Sequence, residues 1–317
     1  MKPIGVFMTE LTDYTYETTM RAIDTLLLYY PFLEKSTIGT SVMGKEIPVL
    51  KIGSGQTQVC YSAAIHANEW ITTPVLLQFV QEYAQAVTEG KPLYGADARE
   101  LYRQVTLYVI PLLNPDGVDL VTGALAEGEY YERAKQIAAA YPQIPFPDGW
   151  KANIDGIDLN LQFPAGWELA KEIKAQQGYT SPAPRDYVGE APLTAPESRA
   201  LYEFTMSHSF ALILTYHTQG EVIYWKYQDL EPAHSRQIAE HFGAVSGYAV
   251  EETPYASGNA GYKDWFILQF DRPGYTIEAG YGENPLPIAD FPEIYRRNTG
   301  ILTGGMTEIL HFKTTAP

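Results

Sequence analysis

Apolar runs of strand length alternate along this chain with longer segments of helical period, and that alternation restricts the fold more than any other feature. Ala211 to Tyr216 is a continuous apolar run, and Gln58 to Ile65 and Val105 to Ile110 also read as strands. Alternating with helices, such runs give an α/β sheet covered on both faces. Helices are expected from about residue 15 up to Pro31, over Ile71 to Val87, over Pro232 to Val245, and from about Asp290 to Leu310. Ser36 to Val42 and Ile47 to Ile52, joined by Met43-Gly-Lys-Glu46, predict a hairpin, and Tyr275 to Ala279 a short strand. From Gly123 to Pro196 regular pattern gives way to Pro, Gly and Tyr, as expected of ordered loops lining a cleft. No repeat, low-complexity tract or linker divides the sequence, so one domain over 1–317 is expected.

Composition narrows the class of partner. The 317 residues are 45% hydrophobic, ample for a sizeable core. A net charge of −16, without a basic cluster, argues against nucleic acid or an anionic membrane as partner. Cys60 is the sole cysteine, which excludes an internal disulfide, and its apolar flanks predict a buried strand thiol. Met1 to Glu10 has no basic region followed by an apolar one, and no apolar run is long enough to span a bilayer. The sequence as given therefore carries the expectation of a cytoplasmic protein, with a cell-wall or extracellular site open if a leader has been trimmed.

Metal chemistry is suggested by Ser62-Ala-Ala-Ile-His-Ala-Asn-Glu-Trp70, where a strand gives way to a helical segment. His66 and Glu69 there resemble half of an open zinc site, which takes three protein ligands and leaves a position for water or substrate. His217 also sits at the tip of a core strand, where open α/β sheets place their sites. A His-x-x-Glu pair is common by chance, so spacing alone leaves the ligand set open. The histidines at 208, 234, 241 and 311 lie on helical or polar segments and are expected to serve as surface or capping residues.

Five runs, His66-Ala-Asn-Glu-Trp70, Asn114-Pro-Asp-Gly117, Gly156-Ile-Asp-Leu-Asn160, Tyr216-His217 and Thr276-Ile-Glu278, stand in the order and spacing of one family. From about residue 15 to 312 the chain resembles the zinc carboxypeptidases related to carboxypeptidase A. The resemblance implies one zinc ion held by His66, Glu69 and His217. It implies Glu278 as the general base, which takes a proton from the attacking water and returns it to the leaving amine. It makes Asp158 the carboxylate that orients the first zinc histidine, and Lys151 a stand-in for the family's oxyanion-stabilising Arg after a Trp. The Asn114–Gly117 run reads as a loop of architectural importance.

Departures from the family pattern bear on substrate. Exopeptidases of this family carry Asn-Arg where this chain has Asn160-Leu161, and that Arg grips the substrate's terminal carboxylate. A leucine forfeits such a contact, which contributes about 1.5 to 3 kcal/mol. Asn68 likewise stands where another substrate-binding Arg is frequent. A subgroup that cuts between γ-D-glutamate and a diamino acid in bacterial cell-wall peptides is similar to this chain in His-Ala-Asn-Glu-Trp, Trp150-Lys-Ala-Asn153, Gln162-Phe-Pro-Ala165 and Gly261-Tyr-Lys-Asp-Trp265. Asn160 and Lys263 are expected to bind substrate, Lys263 at the base of the pocket beyond the scissile bond. A mobile tyrosine that covers substrate is expected at Tyr255 or at Tyr262, with Tyr255 preferred.

The fold expected is a three-layer α/β/α sandwich around a mixed, twisted, mostly parallel sheet with zinc at its carboxyl edge. The activity expected is zinc-dependent hydrolysis of the γ-D-glutamyl-diaminopimelate bond of peptidoglycan stem peptides. The rivals are a metallocarboxypeptidase of ordinary peptides and a zinc-containing wall-peptide binding protein without turnover.

Overall fold

The computed structural model describes residues 13–315. The segment Met1 to Glu10, read above for an export signal, lies outside them. In chain order the elements are α1 (Tyr16–Tyr29), β1 (Glu34–Thr40), β2 (Glu46–Ile52), β3 (Thr57–Ser62), α2 (Thr72–Glu89), β4 (Pro92–Leu93), β5 (Ala96–Asp97), α3 (Ala98–Gln104), β6 (Val105–Ile110), α4 (Pro115–Val121), α5 (Glu129–Ala139) and α6 (Trp167–Gln176). They continue with α7 (Pro196–Met206), β7 (Phe210–His217), β8 (Val222–Tyr224), α8 (Ser235–Ser246), β9 (Ala249–Glu251), α9 (Tyr262–Phe270), β10 (Gly274–Glu278) and α10 (Phe291–Thr315).

An eight-stranded sheet in the order β1-β2-β6-β3-β7-β10-β8-β9 forms the middle layer. Its centre, β6-β3-β7-β10, is parallel throughout, while β2 and β8 pair antiparallel to it on either side. Alternate residues of the central strands feed two cores. Val59, Tyr61, Leu212 and Leu214 point into one, and Cys60 and Ile213 into the other. The first core lies under α2, α8 and α10, and the second under α7 and α9. Fully burying one such aliphatic side chain stabilises the fold by about 1.5 to 3 kcal/mol, which is why both faces read as apolar. Cys60 is buried as expected, and that burial pushes its thiol well above the ordinary range. Among the described residues no helix is long and apolar enough to cross a membrane.

Two expectations are corrected here. The stretch 123–196 is not all loop, because α5 and α6 fall within it. Both are polar helices with few apolar residues, and only Ala134 and Ala138 of α5 and Trp167, Ala170 and Lys174 of α6 are buried, so neither stands out as an apolar segment. Asn114–Gly117 is a helix start and not a loop. Asn114 caps α4 by accepting from the Gly117 N–H at 3.1 Å, and Pro115 occupies the first turn, where its missing N–H costs nothing.

Candidate metal centre and active site

Three strand ends meet at the carboxyl edge of the sheet. β3 and β6 lie on one side of β3's own crossover and β7 and β10 on the other, so the crevice between them is a topological switch point. Past β3 the chain turns through Ala64, whose φ of 50° is left-handed, into a short 3-10 turn over Ala67–Glu69. Ala64 N–H donates to Thr72 Oγ1 at 3.0 Å, and Ala67 N–H to Lys151 O at 3.0 Å. These bonds set His66 and Glu69 on the same side of the turn. Asn114 Nδ2 braces the turn by donating to Ile65 O and Ala152 O. Gly117 is needed for this approach, since a Cβ there would lie 2.7 Å from Ala152 O and 2.8 Å from Ala67 Cβ.

His217 is the last residue of β7, and the parallel register pairs it with Glu278 at the end of β10. Nδ1 of His217 lies 3.2 Å from His66 Nδ1 and 3.0 Å from Glu69 Oε2, and His66 Nδ1 lies 3.0 Å from Glu69 Oε1. One donor atom from each of the three falls within 4.8 Å of the others. On the far side of the imidazole, His66 Nε2 meets Asp158 Oδ1 at 3.2 Å. Asp158 is itself held, accepting from Asn160 N–H at Oδ1 and from Asp186 N–H at Oδ2, both at 3.1 Å.

Two carboxylates, Glu69 and Asp158, flank the His66 imidazole and set its electrostatics. Burial alone would depress the His66 imidazole, yet the Glu69 and Asp158 carboxylates outweigh it and raise it to about 9. Burial opposes ionisation of Glu69 and Asp158 too, but the neighbouring His66 and Lys151 hold both well below the usual carboxylate range. Two imidazole nitrogens and a carboxylate facing one point, with an oriented second nitrogen behind, fit a catalytic zinc. Glu278 behaves oppositely. Burial pushes its carboxyl up, Glu69 adds to this, and His217 and Lys151 offset it in part. Lys151 Nζ donates to Glu69 Oε1 at 2.7 Å, and although burial disfavours its charge, Glu69 keeps it raised.

The cleft has two lobes that meet here, of about 170 Å³ and about 830 Å³. Lys151, Glu278, Arg185 and Tyr224 line both. The smaller lobe contains Asn160, Leu161 and Lys263, and the larger contains Asn68. Asn160 Oδ1 accepts from Tyr262 N–H at 3.0 Å, which fixes its side chain at the cleft wall. Lys263 is buried, donates to Lys226 O at 2.6 Å, and pairs with Asp264 at 2.6 Å. Asn68 Nδ2 donates to Asp148 O, while its buried Oδ1 has no hydrogen-bond partner among the described residues.

The tyrosines separate cleanly. Tyr255 is 73% exposed on the short turn Tyr255–Ser257, whose Ser257 lines the smaller lobe. Tyr262 does not fit a covering role, which corrects that expectation. It is fully buried against Phe163 and Trp265, and its hydroxyl meets Thr205 Oγ1 at 2.9 Å. Arg185, Asp186, Lys174 and Tyr224 border the cleft and were not found from sequence. The signal available was a charged pair, Arg185-Asp186, in an otherwise Pro- and Gly-rich loop.

A mixed sheet with this donor set at its switch point defines a metal-dependent hydrolase of the α/β class. The chain belongs to the zinc carboxypeptidase family, whose model matches residues 19–299. It is 46% identical over 294 residues to "Gamma-D-glutamyl-L-diamino acid endopeptidase 1" of Lysinibacillus sphaericus, covering 93% of this chain and 72% of that one. It is 39% identical over 292 residues to the uncharacterized protein YqgT of Bacillus subtilis (strain 168), covering 91% and 76%. The structure of carboxypeptidase A from Helicoverpa armigera superposes with a TM-score of 0.72 at 19% identity, over 96% of this chain and 75% of that one, a likeness of fold.

Proposed function

We propose that this protein is a zinc peptidase that hydrolyses the bond between γ-D-glutamate and a diamino acid, such as diaminopimelate, in peptides derived from bacterial peptidoglycan. The observation that carries the reading is Leu161 on the wall of the smaller lobe, beside the buried pair Lys263–Asp264. A lobe with leucine there has no guanidinium at that position for a terminal carboxylate. The ion pair below offers both signs of charge, as does the far end of diaminopimelate, which carries an amine beside a carboxylate. The name of the Lysinibacillus relative supports the same substrate class.

His66, Glu69 and His217 would hold the metal, with Asp158 fixing the His66 tautomer. When bound, zinc supplies Lewis-acid polarisation of the scissile carbonyl and lowers the pKa of the attacking water. Glu278, with its carboxyl raised by burial, accepts the proton from that water and passes it to the departing amine. Lys151, kept cationic at the junction of the lobes, stabilises the negative charge that develops on the carbonyl oxygen. Asn160 positions the substrate, Lys263 favours a carboxylate on the leaving group, and Tyr255 covers the cleft once substrate is seated.

The test is digestion of a defined muropeptide followed by mass spectrometry, with a chelator control. The expected products are those of cleavage between D-glutamate and the diamino acid. Release of single C-terminal residues from ordinary peptides, with the γ-linked bond intact, would refute the substrate assignment, and saturable binding without turnover would refute the enzyme. Glu278→Gln should retain zinc and lose about 100- to 10,000-fold in kcat. Full activity in that variant overturns the mechanism.

A further inference from the structure

Arg185 occupies a place that no motif assigned. It lies on the segment Ala183–Tyr187, which is strapped to the loop that carries Lys151 and Asp158. Lys151 N–H and Ala152 N–H both donate to Pro184 O, at 2.7 and 2.9 Å, and Ala183 N–H donates to Gly156 O at 3.0 Å. Asp158 N–H donates to Tyr187 O at 2.8 Å, and Asp186 N–H returns to Asp158 Oδ2 at 3.1 Å. The chain of contacts from the His66 ring through Asp158 to the backbone beside Arg185 is therefore continuous. Asp186 adopts a left-handed φ of 67° to make it. A side chain mounted this way is preorganised relative to the reacting centre, as a substrate clamp needs to be.

The charge on that segment is incompletely neutralised. Asp186 receives Arg185 Nε on Oδ2 at 2.7 Å and Lys174 Nζ on Oδ1 at 2.5 Å, so one carboxylate is shared by two cations. Arg185 spends its Nε on that contact, remains 41% exposed, and lines both lobes of the cleft. Its field reaches the reacting centre, where it opposes the charge on Lys151.

We propose that Arg185 binds a carboxylate on the acyl side of the scissile bond, and so selects glutamyl substrates with that carboxylate free over those in which it is amidated. This rests on the function proposed above. In a γ-D-glutamyl bond the free α-carboxylate stands two methylenes and the α-carbon away from the scissile carbonyl. In the D-isoglutamine form the same position carries a neutral amide, which offers a guanidinium no charge to pair with. A cation at the junction of the lobes, beside Lys151 and Glu278, is placed to read a group so close to the carbonyl. The leaving-group lobe already has Lys263 for its own carboxylate. Guanidinium also suits the task better than ammonium, since its fork matches a carboxylate and one edge is already fixed by Asp186.

The test compares kcat/KM of the zinc-loaded enzyme on L-alanyl-γ-D-glutamyl-diaminopimelate with that on its D-isoglutamine counterpart, in which the α-carboxylate is an amide. Wild type should prefer the free acid by about 10- to 100-fold, the effect of one charge-assisted contact. Arg185→Met should bring the two substrates within about twofold by losing rate on the acid, and Arg185→Lys should keep part of the preference. Should the Met variant fail to fold, Arg185→Gln, which keeps a donor for Asp186, is read in the same way. An unchanged acid-to-amide ratio overturns the proposal. So does a preference that Arg185→Met abolishes for amidation of the diaminopimelate carboxylate instead, since Arg185 would then read the leaving group. Failure of wild type to cut either γ-linked peptide sinks the proposed function, and this inference with it, whereas cleavage with an unaltered ratio sinks the inference alone.

Discussion

Glu197 is a buried acid in the second residue of α7, and its titration should be visible in the stability of the whole protein. Its Oε1 accepts from Val42 N–H and its Oε2 from Asn153 Nδ2, each at 3.1 Å. Asn153 Oδ1 in turn accepts from Asp155 N–H and Ile157 N–H, so Glu197 braces the loop that presents Asp158. No ion pair neutralises Glu197 among the described residues. Burial therefore pushes its carboxyl from 4.5 up to about 7, against the help of its hydrogen bonds and with a further push from Asp116. Between those values the native state binds the proton more tightly than the unfolded chain does, so stability falls as pH rises and the loss is complete above about 7. At about 1.4 kcal/mol per pH unit the interval gives roughly 3 kcal/mol in all, of which roughly 2 to 3 kcal/mol falls between pH 5 and 8. Glu197→Gln removes the titration, and its lost bond to Asn153 is a constant offset. Urea unfolding of metal-loaded wild type and variant across pH 5 to 8 isolates the effect, because every other titrating group is common to both. The stability difference should move in the variant's favour by that roughly 2 to 3 kcal/mol as pH rises. A difference independent of pH would show that Glu197 is ionised in the native state throughout, and the reasoning would fail.

Asp158→Ala frees the His66 Nε2 and should weaken zinc binding by about 10- to 100-fold, read by competition with a chromophoric chelator; unaltered affinity would remove Asp158 from the site. Lys263→Met should raise KM for diaminopimelate-containing peptides more than it lowers kcat, and equal activity on all substrates would remove its specificity role. Tyr262→Phe loses the hydroxyl's contacts with Thr205 and Cys60 and should cost about 1 to 2 kcal/mol of stability with kcat/KM unchanged. A large drop in kcat there would restore Tyr262 as a substrate-covering residue.

How far the sequence discloses the site depends on what kind of contact builds it. The strands were legible because β3, β6 and β7 are buried on both faces, so each carries a run of apolar or β-branched residues, unbroken in β7 from Phe210 to Leu214. His66, Glu69, His217 and Glu278 were legible through the order and spacing of the five motif runs, since strand ends and residue type alone left the ligand set open. The sequence favoured Tyr255 over Tyr262 without fixing the register, because the two tyrosines share one glycine-rich stretch. What separates them is that α9 begins at Tyr262 and turns it into the core, while Tyr255 stays outside on its own short turn. Arg185 was invisible for a different reason. Its position is set by backbone bonds from Lys151, Ala152, Asp158 and Asp186, none of which depends on side-chain type along 183–187 except through Asp158. A loop fixed by its main chain leaves no periodicity to read, so Arg185 is less visible in the sequence than Asn160 and Lys263, which sit within motifs. The reaction class therefore follows from the motifs, whereas the contact proposed for Arg185 emerges only once the two strapped loops are seen side by side.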